Sequence, residues 1–268
     1  MQQHSCRCFD PWFLQGHLWL LAGSLGYALY DIVFGYLAWE ALAPAANGLT
    51  VVFALCYLVS SVLYLVALRM HYPELARWRG VWLWAEVGNV ASSVVYAVSQ
   101  GLYFVTEYNE PSTLQPFAAV VLAQAALYFV SQLMWLLNAV HYIFAYLAMR
   151  KHWNATGPVA RDPEFWAEVW NTFACVGYTA TTLWALVAVL VQLAGASELL
   201  PFVAFVYDNQ TLQLLINIAW DLGFCTSAIC YLIAWARDRK EALEEAVQEE
   251  KPLVVPPDPG SQSDTQDL

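Results

Sequence analysis

Eleven Lys and Arg occur in this 268-residue chain, and none of them lies in any of its six long apolar stretches. They are Arg7; Arg69, Arg77 and Arg79; Arg150, Lys151 and Arg161; Arg237, Arg239 and Lys240; and Lys251. The apolar stretches run 18–39, 49–68, 81–105, 120–149, 165–194 and 211–236. Each is long enough to cross a hydrocarbon core of about 30 Å as a helix rising 1.5 Å per residue. Counting alternately, every basic residue falls on one side of such a bundle. The three opposite loops, 40–48, 106–119 and 195–210, hold none. That bias predicts an all-α polytopic membrane protein with both termini in the cytosol.

Composition agrees. Sixty per cent of residues are hydrophobic and twelve per cent charged, against roughly a quarter charged in soluble domains. The expected organisation is a cytosolic segment 1–17, a transmembrane domain 18–236 and an acidic, largely disordered cytosolic tail 237–268. The first apolar stretch is of full spanning length, which reads as an uncleaved anchor. Nothing in the composition selects one membrane; plasma membrane or endomembrane is the expectation. The net charge of −11 and the lack of a large basic patch argue against nucleic acid as a partner. The expected surroundings are the lipid bilayer and other membrane proteins.

The chain carries an internal repeat. Leu83-Trp84-Ala85-Glu86-Val87-Gly88-Asn89 matches Phe165-Trp166-Ala167-Glu168-Val169-Trp170-Asn171, and Tyr96 and Tyr178 follow at equal offsets. Upstream, Leu68-Arg69-Met70-His71-Tyr72 matches Met149-Arg150-Lys151-His152-Trp153. A weaker third copy is Cys230-Tyr231-Leu232-Ile233-Ala234 against Leu63-Tyr64-Leu65-Val66-Ala67. A unit of two helices keeps its orientation when repeated, so six spans form three parallel helical hairpins. Trp12, Trp19, Trp39, Trp78, Trp82, Trp84, Trp153, Trp166 and Trp235 sit near span ends, where an aromatic belt is expected. Arg237 with Glu241 and Lys240 with Glu244 have the spacing of helical ion pairs, so helix six is expected to continue past the membrane.

Buried acids are the strongest chemical signal. Asp31, Glu86, Glu168 and Asp221 fall inside the spans. An acid at a span centre costs about 2.5–3.5 kcal/mol on insertion scales, so each should face a partner or water. Glu86 with Asn89, Glu168 with Asn171 and Asn217 with Asp221 share helix faces. A polar path for protons or a cation is one reading of these residues. The structural readings are helix N-terminal acids near headgroups for Glu86 and Glu168, and interhelical hydrogen bonds for Asp31 and Asp221. His141 lies well inside a span. Haem ligation needs an opposed partner, for which only His17 offers itself, so a hydrogen-bonded core histidine is the simpler expectation. Cys6 and Cys8, close to the first span, are candidates for S-palmitoylation. Cys56, Cys175, Cys225 and Cys230 read as small apolar fillers.

No span holds a lysine for a retinal Schiff base. No catalytic, metal-binding or cofactor fingerprint appears, so no metal or cofactor is expected. Ala22-Gly23-Ser24-Leu25-Gly26-Tyr27, and more loosely Ser60-Ser61-Val62-Leu63-Tyr64, resemble the Gly-Ser-plus-aromatic pattern of the YrhK-like family of two-helix membrane proteins. That resemblance implies a hairpin fold and no established activity. The function expected is a non-enzymatic, structural or partner-binding role; the alternative is a small proton or cation channel or transporter using the buried carboxylates.

Overall fold

A computed structural model describes residues 11–36, 43–71, 80–108, 114–152, 158–196 and 210–249. Six long α-helices account for nearly all of them: α1 (Pro11–Tyr30), α2 (Ala43–His71), α3 (Val81–Tyr108), α4 (Leu114–His152), α5 (Pro163–Leu193) and α6 (Gln210–Glu249). Helices α2 to α6 each contain a stretch long and apolar enough to cross a membrane. The apolar run begun by α1 continues through a π-helical segment, Asp31–Tyr36, which opens on Asp31. The molecule is an all-α polytopic membrane protein.

The helices form a closed ring. Each packs on its neighbour in sequence, and α6 returns to pack on α1. Neighbours run antiparallel. Leu68 meets Leu83 across α2 and α3, Trp82 meets Tyr142 across α3 and α4, and His17 meets Tyr231 across α1 and α6. Small residues allow the close approaches: Ala54, Ala67, Ala85, Ala139, Ala145, Ala167, Ala174 and Ala228 are all essentially inaccessible. A β-carbon on Gly26 would sit 2.5 Å from the Phe53 ring, and one on Gly177 would fall inside the Trp220 indole. Helices without side chains at such points pack backbone to ring, as membrane bundles do.

Polarity is inverted relative to a soluble bundle. Val52, Leu55, Val62, Val98, Leu137, Phe144, Val176, Leu215, Leu222 and Ile233 face outward. Ser24, Ser60, Ser61, Ser92, Ser93, Gln132, Glu168, Asp221 and Ser227 are buried. Serines join the helices: Ser60 Oγ donates to the Gly16 carbonyl at 2.8 Å, and Ser61 and Ser93 hydroxyls meet at 2.8 Å.

The elements extend the sequence-based spans in places. α1 begins seven residues before position 18, and α6 runs to Glu249 rather than stopping near 236. The expected ion pairs on that extension are present: Arg237 lies 4.0 Å from Glu241, and Lys240 3.7 Å from Glu244. Cys6 and Cys8, the three alternate loops for the most part, and residues 250–268 lie outside the described residues.

One end of the ring gathers Arg69, Arg150, Arg161 and Arg237, and there Asp162 ties three helices together. It caps α5, accepting from the Glu164 amide at 3.1 Å, with Pro163 next in line as the first helical residue. Tyr146 and Arg150 of α4 donate to its Oδ2 at 2.7 and 3.1 Å, and Arg237 of α6 to its Oδ1 at 3.2 Å. Burial alone disfavours a charged Asp162, but the Tyr146 hydrogen bond and the Arg237 charge prevail and hold the carboxyl below its usual range.

Candidate functional site: a central polar cavity

The ring encloses a cavity of about 130 Å³ to which all six helices contribute. At its basic end are Phe13, Trp82, Glu164, Trp235 and Asp238. Further in lie His17, Glu86 and Glu168, then Asn89, Asn138 and Asn171. The described lining contains no Lys or Arg.

Each odd helix presents an ionisable group to a tyrosine on the helix that follows it. His17 Nδ1 of α1 lies 2.6 Å from the Tyr64 hydroxyl of α2. Tyr142 of α4 and Glu86 of α3 line the same stretch of the wall. Tyr231 of α6 donates to Glu168 Oε1 of α5 at 2.5 Å. The His17 ring also stacks on Tyr231, with centroids 5.0 Å apart and planes within 12°. Glu86 and Glu168 are 4% and 2% exposed, each the sixth residue of its helix. Both line the cavity, in the second turn of their helices. Glu168 Oε2 has no protein hydrogen-bond partner.

Deeper in, Tyr57, Trp135 and Phe224 close the cavity, one aromatic from each even helix. Tyr57 and Trp135 meet edge-on at 5.6 Å, and Tyr57 and Phe224 lie 6.1 Å apart. Beyond this layer is a small void of about 10 Å³, bounded by the same three rings with Tyr27, Tyr96, Gln132, Tyr178 and Asp221. Asp221 is 1% exposed and accepts a short hydrogen bond from Tyr178. The Asp31 carboxyl, from the π-helical turn, interacts with it. Asp221 Oδ2 has no protein hydrogen-bond partner. π-Helical turns recur at functional sites because they re-aim a side chain out of the α-helical register.

Of the residues singled out in the sequence, Glu86, Asn89, Glu168 and Asn171 converge on the cavity. Asp31 and Asp221 form the deeper pair. Asn217 is half-buried one turn from Asp221, yet it is Tyr178 that donates to Asp221. His141 is neither core nor site. It is exposed on the outer face, with Nδ1 3.0 Å from the Leu137 carbonyl of its own helix. Trp82 and Trp235 line the cavity, while Trp19, Trp84 and Trp166 face outward as expected; Trp39, Trp78 and Trp153 lie outside the described residues. Cys56, Cys175, Cys225 and Cys230 are free thiols, the first three buried.

In the sequence His17 stood out only as an opposed partner for haem, Tyr64 and Tyr231 only as repeat positions, and Tyr142 not at all. The available signal was an offset. Glu86 precedes Tyr96 by ten residues and Glu168 precedes Tyr178 by ten; His17 precedes Tyr27 by ten as well. A histidine in place of a glutamate hid the match. Tyr64, Tyr142 and Tyr231 likewise each follow Tyr57, Trp135 and Phe224 by seven.

These features define a membrane-embedded six-helix ring around an acidic, aromatic-lined cavity. Comparisons of the chain with family models, with curated proteins and with solved structures give no match.

Proposed function

We propose that this protein is a channel or transporter that admits a cation or protons into the central cavity from its basic end, and that the Asp31–Asp221 pair is the inner proton-holding site. The observation that carries this reading is Glu168 Oε2, a carboxyl oxygen in the cavity wall without a protein hydrogen-bond partner. Buried carboxyls are costly unless something neutralises them. With no Lys or Arg in the described lining, a mobile cation or proton takes that role. The Tyr57–Trp135–Phe224 layer separates the outer carboxyls from the inner pair and acts as the gate between them.

By the orientation bias of Lys and Arg, the cavity opens toward the cytosol. The ring is read as three two-helix units, α1–α2, α3–α4 and α5–α6. In support, His17, Glu86 and Glu168 hold equivalent positions, as do Tyr57, Trp135 and Phe224. The YrhK-like hairpin remains the family unit proposed for it.

A specific observation favours a second reading. The aromatic layer leaves no continuous void to Asp221, as suits a receptor or partner-binding protein that holds a ligand without moving it. Reconstitution in liposomes with an internal pH dye separates the two. Transport predicts proton or cation flux under an applied potential, lost in both Glu168→Gln and Asp221→Asn while the proteins remain folded. Absence of flux from well-folded parent protein, across protons, Na⁺ and K⁺, removes the transport reading.

A further inference from the structure

We propose that the ligand of the central cavity is a small organic ammonium ion, its charge held by Glu168 and Glu86 and its apolar body by the aromatic wall. This rests on reading the cavity as a binding site and names what occupies it.

Three features of the wall select this chemistry. The first is charge. Glu168 is almost wholly buried and keeps one carboxyl oxygen unbonded, so it calls for a donor from outside the protein. Arg237, at the rim, is already shared between Asp162 and Asp238. The second is the aromatic surface. Phe13, Trp82, Trp135 and Phe224 come from four different helices to one cavity. Aromatic faces attract a desolvated cation and accept an apolar body equally well, so rings beside carboxylates select organic ammonium over either a hydrocarbon or a hydrated ion. The third is room. The 130 Å³ cavity is about ten times the roughly 10–15 Å³ at which a cavity first admits one water. That exceeds what a proton needs and suits a small organic molecule. A divalent metal fits less well. It wants several oxygens converging at short range, and among the described residues no three His, Cys, Asp or Glu groups gather in that way.

Binding is tested on the full chain in nanodiscs, with benzylammonium as probe and benzyl alcohol as its neutral counterpart. Quenching of intrinsic tryptophan fluorescence, to which Trp82 and Trp135 contribute, reports occupancy without any need for transport. Empty nanodiscs correct for partition into lipid. The expected result is saturable binding of benzylammonium, about tenfold or more tighter than the alcohol. Glu168→Gln, which keeps shape and the Tyr231 contact, should erase that preference, with Glu86→Gln reducing it. Equal affinity for the two probes, or a preference unchanged in Glu168→Gln, overturns the proposal. If that variant does not fold, selectivity of the parent protein between the probes decides alone. Proton flux without ammonium binding overturns this ligand class and leaves the conduction reading standing. Ammonium binding without flux supports the ligand class and removes conduction.

Discussion

Asp162 does three jobs with two oxygens: it caps α5, accepts from Tyr146 and Arg150, and pairs with Arg237. Removing it should therefore cost more than a cap alone. Asp162→Ala is expected to lower stability by about 1–3 kcal/mol, combining a lost N-cap with donors left unsatisfied. Asp162→Asn keeps the cap and loses the charge. Because folding lowers the carboxyl's proton affinity, its contribution is complete above the unfolded value of about 3.9. It disappears as pH falls through the lower folded value. Melting temperatures of parent and Asp162→Asn in detergent should converge on acidification; a gap that stays constant from pH 7 to pH 3 contradicts this assignment. Nothing around position 162 in the sequence announces this role except the Asp-Pro pair of a helix start. Its cationic partners are 12 and 75 residues away.

At the scale of helices, the interfaces are set by missing side chains. Gly177 of α5 lies under the Trp220 ring of α6, which in turn packs edge-on against Phe173 at 5.0 Å. Neither the indole nor the backbone can retreat cheaply. Gly177→Val should force the helices apart and destabilise by about 1–3 kcal/mol, the range for overpacking. Gly101 has open space where a β-carbon would go, so Gly101→Ala should be neutral or slightly stabilising, helped by helix propensity. Thermal unfolding of both variants in one detergent checks the contrast, and equal melting temperatures would argue that the α5–α6 contact is soft. Glycines in a span are visible in any sequence. Which of them meets a ring depends on the rotation of both helices, and apolar periodicity reports that weakly when lipid and neighbour are alike in polarity.

For the whole molecule, the ring creates a cavity that no single helix encodes. Each odd helix brings His or Glu, each even helix brings Tyr, and closure of α6 on α1 turns three pairs into one enclosed wall. The ring has a direction, because its described basic residues collect at one end. Cysteines introduced singly at position 110, in an alternate loop, and at position 161, beside Asp162, on a cysteine-free background should label differently. An impermeant reagent applied to intact cells should reach position 110 and not 161 if the protein is at the plasma membrane. Labelling of position 161 before permeabilisation would reverse the orientation proposed.

The chain by itself determined that it crosses a membrane as helices, where the crossings lie to within several residues, and which acids end up buried. Those features follow from lengths of apolar sequence and from the cost of charge in lipid, and both are read locally. The repeated Glu and Asn positions also marked the side of α3 and α5 that faces inward. Tertiary structure alone decided the rest. It made His17 a counterpart of Glu86 and Glu168, turned His141 outward, and set Asp31 beside Asp221 across the α1–α6 closure. A helix can present a polar residue to a neighbour, a cavity or the outside, and only the packing of its partners chooses among them.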